Sequence, residues 1–131
     1  MKDFDSWNTI KKTIDAYPNE TRLFFRSGEI WWVRLGANVG YEIDGKSRGF
    51  QRPVIVLKKY NQYSFLGAPL TTTNKPNPYR LPIGKVGGKD SFAILSQLRN
   101  IDSNRLVEKI ASIEHDALDI IKKEASRVNF G

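Results

Sequence analysis

The chain has 131 residues, 21 Lys+Arg against 14 Asp+Glu, one His and no Cys, for a formal net charge of +7. That length supports one hydrophobic core and not two full-sized ones. The absence of cysteine excludes a disulfide scaffold, a thiol nucleophile and a Cys-ligated metal, and a single histidine leaves no His pair for acid–base work.

In chain order, residues 4–17 predict an amphipathic helix, with Phe4, Trp7, Ile10, Ile14 and Tyr17 at steps of three and four and Pro18 ending it. Residues 18–27 read as a connector, and 1–27 as a helical extension ahead of a domain at 28–131. Residues 29–35 (EIWWVRL) are aromatic and β-branched, a strand pattern. Residues 36–51 carry four glycines and no sustained period, which predicts a long loop of the kind that carries function. A strand is expected at 53–60 with Pro53 as its first residue, where no ladder donor is lost. A tight turn at Asn61-Gln62 then leads to a strand at 63–70.

Residues 72–79 are a polar, Pro-containing loop. A short strand follows at 79–83, a glycine-rich turn at 84–89, and one continuous strand at 92–101. A helical turn at 103–106, a last strand at 108–113 and a closing helix at 116–128 complete the chain. That helix shows Leu118, Ile121, Ala125 and Val128 on one stripe, with Glu114 or Asp116 as its cap. About six short strands with helices at the ends imply a mainly β domain, a compact bent barrel or sheet. No apolar run approaches the roughly 20 residues of a membrane span. Residues 1–27 lack the apolar centre of a signal peptide, so the chain reads as cytoplasmic.

The charge is unevenly spread. Residues 58–99 hold seven basic side chains (Lys58, Lys59, Lys75, Arg80, Lys85, Lys89, Arg99) and one acidic one, Asp90, so nearly all of the excess lies in the middle third. Folded onto one face, that third would suit a polyanion; the plain alternative is a lysine-rich exterior serving solubility. No phosphate-binding glycine motif is present, and GKVGGK at 84–89 lacks the spacing of one. His115 reads as a surface residue beside a helix cap, and the carboxylates do not recur at metal-ligand spacing. What remains is a group of polar residues at strand ends: Arg52, Thr71 to Thr73, Gln97 and Arg99, with Glu42 in the long loop. On one strand, alternation places Gln97 and Arg99 on one face. An arginine fork matches a phosphate. An RNA phosphate can be attacked by its own 2′-hydroxyl, which asks of a protein only orientation, charge stabilisation and proton transfer. The plain alternative is a set of ordinary surface residues.

In order along the chain, G-E-I-W-W-V-R-L-G (28–36), N-V-G-Y-E (38–42), R-P-V-I-V-L (52–57), P-L-T-T (69–72), S-Q-L-R-N-I-D (96–102) and R-L-V-E-K-I (105–110) resemble the MazF/PemK family of toxin endoribonucleases. The resemblance implies a small, strongly bent SH3-like β-barrel, usually a symmetric homodimer. It implies cleavage of single-stranded RNA at short sequences without metal or other cofactor, leaving a 2′,3′-cyclic phosphate and a 5′-hydroxyl. It also implies a cognate antitoxin that blocks the RNA groove. Carried over residue by residue, the catalytic Arg falls on Arg52, the catalytic Thr on Thr71 and the loop glutamate on Glu42. Gln97 matches an RNA-binding position, and Thr72, Arg99, Lys46 and Arg48 are further expected RNA contacts. Tyr41 stands where many members have Ser and offers a flat ring for base stacking. Because arginine stays protonated, Arg52 is expected to clamp the developing charge and Glu42 to act as base. The stretch from Glu42 to Arg52 is longer than in compact members, so the sequence preference does not carry over. Two other functions stay open: a non-catalytic toxin of this fold that inhibits a topoisomerase by contact, and a single-stranded nucleic-acid binder.

Overall fold

The computed structural model describes residues 23–35, 50–75 and 77–131. The expected helix at 4–17 and most of the long glycine-containing segment lie outside the described residues. Seven strands are present among those described: β1 (Glu29–Arg34), β2 (Gln51–Asn61), β3 (Ser64–Thr71), β4 (Arg80–Val86), β5 (Lys89–Ile94), β6 (Arg99–Asp102) and β7 (Leu106–Ser112). A 3-10 turn at Ser103–Arg105 separates β6 from β7, and one helix, α1 (His115–Phe130), closes the chain. The strands form one antiparallel sheet in the order β4-β5-β3-β2-β1-β7, with β6 adding to β3 beyond β5. The sheet curls into a half-barrel, the bent, mainly β architecture that the sequence implied.

The curl follows from the register. Shifts occur in β1 against β7, in β2 against β3 and in β4 against β5, and each such bulge bends its strand and adds twist. Because β1, β2 and β3 are covered on both faces, their apolar residues alternate between two cores. Ile30, Ile55, Leu57, Ala68 and Leu70 face the first core, where Leu118, Ile121 and Ala125 of α1 cover them. Trp31, Val33, Val54, Val56 and Phe65 face the second, completed by Phe25, Leu35, Ile101 and Leu106. The stripe predicted for the closing helix is the one it buries, with Val128 packed at its margin. Phe25 is fully buried and packs tilted against Phe65, with ring centroids 5.2 Å apart and 55° between the ring planes. Full burial of one such ring contributes about 1.5–3 kcal/mol.

Local chemistry sets the turns. Asn61 Oδ1 accepts from the amides of Tyr63 (2.8 Å) and Ser64 (3.1 Å), so the β2–β3 loop is Gln62-Tyr63, one residue later than expected. The β4–β5 loop is the pair Gly87-Gly88, with φ of 61° and 85°. Two successive positive φ values define the tight hairpin turn whose twist matches the flanking strands, and only glycine takes both without strain. The glycine-rich turn expected at 84–89 is therefore narrower, and β4 runs to Val86.

Two expectations are corrected. β2 begins at Gln51, so Pro53 lies inside the strand, opposite Trp32. Its missing donor is tolerated at the sheet margin, since the β2–β3 register begins only at Val54. The continuous strand expected at 92–101 is two strands. Leu70 pairs with Ala93 and Gly67 with Arg99, so three steps along β3 correspond to six along the facing chain. The surplus residues leave the ladder as a turn in which the Leu95 amide bonds the Tyr79 carbonyl (2.8 Å) and the Gln97 amide bonds that of Ile94 (3.2 Å).

Candidate active site

The sheet brings two of the expected residues together. Val54 lies opposite Pro69, and two further steps in this antiparallel register make Arg52 level with Thr71 on the neighbouring strand. Residues level with one another in such a pair share a face. The guanidinium of Arg52 donates to the Leu70 carbonyl at 3.4 Å, one residue from Thr71. Both residues are only partly buried. The Thr71 hydroxyl accepts from the Thr73 amide at 3.1 Å. A hydroxyl carries one hydrogen and two lone pairs, so that bond orients the oxygen and leaves its hydrogen for a ligand. Thr73 thus acts locally, by folding the strand end into a turn that aims Thr71.

Thr71 and Thr72 border an open groove of about 600 Å³ that runs past Trp32 and Pro53 to Lys89 and Ser91 of β5. A second depression of about 650 Å³ shares Thr72, Lys89 and Ser91 and continues towards Lys85. Lys85 pairs with Asp90 at 3.3 Å in the open, a contact worth little in water. The groove is thus bordered by an indole, 38 % exposed at Trp32, and by cations and hydroxyls. Such a lining can stack on a base and bind a phosphate.

The other expected residues are placed less closely. Arg99 is exposed on β6, opposite Gly67, four residues from Thr71 along β3. Gln97 sits in the turn between β5 and β6, so strand alternation does not pair it with Arg99, correcting that expectation. Tyr41, Glu42, Lys46 and Arg48 lie outside the described residues. The basic middle third is divided. Lys89 and Lys85 border the grooves, whereas Lys59 is spent structurally, its ammonium on the Phe25 carbonyl (2.9 Å) and 4.6 Å from the Phe24 ring centre.

Trp32, Lys89 and Ser91 were missed as site residues in the sequence. Their signals were present but ambiguous: Trp32 lay in an aromatic strand pattern beside Trp31, and Lys89 at the end of a glycine-rich turn. Among the described residues, His115, Asp116 and Asp119 bring ligand-type atoms within 4.8 Å of one another, which helical spacing achieves where the linear sequence showed no cluster. They are exposed at the start of α1, by the Ser112 end of β7, at the opposite end of β1 from Arg52. No described helix is long and apolar enough to cross a membrane.

Comparison with known proteins agrees with this architecture. The family model of the PemK-like, MazF-like toxin of type II toxin-antitoxin systems matches residues 26–128. The chain therefore belongs to that toxin family. Among solved structures it is similar to MazF from Deinococcus radiodurans, with a TM-score of 0.63 and 21% identity over 81% of this chain and 96% of the other. It is also similar to the Mycobacterium tuberculosis toxin MazF-mt6, with a TM-score of 0.56 and 17% identity over 76% and 93% of the two chains. A third is a mycobacterial endoribonuclease in complex with its cognate antitoxin, with a TM-score of 0.61 and 12% identity over 82% and 98%. At these identities the likeness is one of fold. No match was found among curated proteins.

Proposed function

We propose that this protein is the toxin of a type II pair and cleaves single-stranded RNA without metal, through attack of the 2′-hydroxyl on the adjacent phosphate. The observation that carries the reading is the juxtaposition of Arg52 and Thr71 at one level of β2 and β3, with the guanidinium on the Leu70 carbonyl. In this scheme the ribose supplies the nucleophile, so no activated water is needed. The O2′–P bond forms, the P–O5′ bond breaks, the departing O5′ takes a proton from solvent water, and the products carry a 2′,3′-cyclic phosphate and a 5′-hydroxyl. Arg52 neutralises the charge that develops on the phosphoryl oxygens. Thr71 donates its free hydroxyl hydrogen to a non-bridging oxygen, and Glu42 takes the 2′-hydroxyl proton.

Thr72, Gln97 and Arg99, with Tyr41, Lys46 and Arg48, are the proposed RNA contacts, and a symmetric homodimer is the proposed assembly. A cognate antitoxin is the proposed protein partner. The structural neighbour solved with its own antitoxin supports that assignment.

The test is incubation of the purified protein with single-stranded RNA in EDTA, followed by mapping of the ends. Cleavage leaving cyclic-phosphate and 5′-hydroxyl ends is expected. Salt-sensitive binding of intact RNA would replace this reading with a nucleic-acid binder, and intact RNA together with topoisomerase inhibition would replace it with the contact toxin. Glu42→Gln should slow cleavage; unchanged cleavage would remove Glu42 from the scheme.

A further inference from the structure

The sheet face that carries Arg52 and Thr71 holds another polar side chain. Arg80 opens β4, opposite Ile94 of β5. Its neighbour Leu81 lies opposite Ala93 and packs against the first core, so alternation turns Arg80 to the other face. Thr71, opposite Phe92, has that same orientation because Leu70 belongs to the first core. Arg52 follows by the same parity, since Ile55 belongs to the first core and Val54 to the second. Arg80 is two strands across from Pro69 and thus two residues along from Thr71. Strand geometry makes that about 10 Å across and about 7 Å along, or about 12 Å between Cα atoms.

The Nε and Nη1 groups of Arg80 are buried, with no hydrogen-bond partner among the described residues. Proteins pair nearly all their buried polar groups, and a guanidinium does not escape its charge by losing a proton. Residues 58–99 contain only one carboxylate, Asp90, and it pairs with Lys85. The acceptor that Arg80 lacks is therefore not supplied by its own hairpin.

We propose that Arg80 is a second phosphate anchor, binding the backbone phosphate of a nucleotide adjacent to the one cleaved. This rests on the ribonuclease reading of the neighbouring residues. The arginine fork matches two phosphate oxygens. Arg80 as a residue is only partly buried, so part of its side chain is open to an anion at the surface. Its role is to position substrate: it fixes the register of the strand, while Arg52 and Thr71 act on the reacting phosphate.

Arg80→Gln and Arg80→Lys test this with two probes. The first is a short mixed-sequence oligodeoxynucleotide, which has no 2′-hydroxyl and is bound without cleavage. The slope of log affinity against log salt should fall by about 0.7 in Arg80→Gln, the single-strand contribution of one phosphate contact, and Arg80→Lys should keep most of it. The second is RNA cleavage, where Arg80→Gln should raise KM about tenfold and change kcat less than about twofold. A neutral methylphosphonate at a linkage beside the cleaved bond should raise KM for the wild type and add nothing in Arg80→Gln. Wild-type slope and KM in Arg80→Gln overturn the proposal, as does a wild type with no salt-dependent binding. So does a change confined to Tm or oligomeric state. A wild type that leaves RNA intact while Arg80→Gln loses the expected slope overturns the ribonuclease reading and supports the anchor.

Discussion

The two ends of the β2–β3 hairpin are built from the same strands and treat their polar groups differently. At the turn end the side chains of Asn61, Ser103 and Glu29 are all bonded. Asn61 accepts two amides, and Ser103 Oγ donates to the Gln62 carbonyl at 2.7 Å. Nearby, Glu29 accepts from the Trp31 indole (2.9 Å) and the Arg26 amide (3.0 Å) and pairs with Lys109 (3.2 Å). Burial pushes the Glu29 carboxyl up, but those hydrogen bonds and the Lys109 charge outweigh it and hold the group below the ordinary carboxylate range. At the open end, among the described residues, Arg52 makes one long bond, Thr71 only accepts, and Arg80 keeps two nitrogens without acceptors. A saturated network fixes structure, and an unsaturated one held on rigid strands is where a ligand completes the bonding.

If that contrast is right, substitutions at the turn end change stability and those at the open end change chemistry. Phe65→Ala empties the second core beside Phe25 and should cost about 3–5 kcal/mol, read from the urea midpoint. Arg52→Ala should slow single-turnover RNA cleavage by about 10³-fold while stability changes by less than about 1 kcal/mol; a large loss of stability with intact cleavage would erase the distinction. Thr71→Val, which keeps the shape and removes the hydroxyl, should slow cleavage about 10²-fold with an unchanged melting curve. Asn61→Ala should lower stability by about 1–2 kcal/mol and leave the cleavage rate of the folded protein alone. The smallest effect is expected from pH. The stabilisation that Glu29 gives is present above the ordinary glutamate pKa and is lost as pH falls through its lowered folded value. The stability gap between wild type and Glu29→Gln should therefore narrow in acid, and a gap that widened there would reverse the assigned sign.

Much of this was legible in the chain. The run Val54–Leu57 and the helical stripe from Leu118 to Val128 announce their elements, because burial on a strand or helix imposes a period that survives in the sequence. Arg52 and Thr71 stood out as a polar pair at strand ends, and the ordered motifs supplied their family. The interruption between Ile94 and Arg99 was hidden, because a register shift is a property of the facing strand and leaves no mark on local hydrophobicity. Gly67 shows the same limit. A Cβ there would lie 2.6 Å from Val54 Cγ1, a constraint set by a residue on another strand. Trp32 and Trp31 are adjacent and chemically identical, yet one borders the groove and the other fills the second core.

By itself, then, the sequence determined the β-rich class, the closing helix and the chemical identity of the groups at the groove, since these depend on residue type and short-range period. Tertiary structure decided which of them meet. The level placement of Arg52 with Thr71, the arrival of Lys89 at the groove that Thr71 borders and the orientation of Arg80 to the face of Arg52 all come from strand pairing across loops. Hydrogen-bond register and alternation fix those distances, and neither is written in any single stretch of the chain.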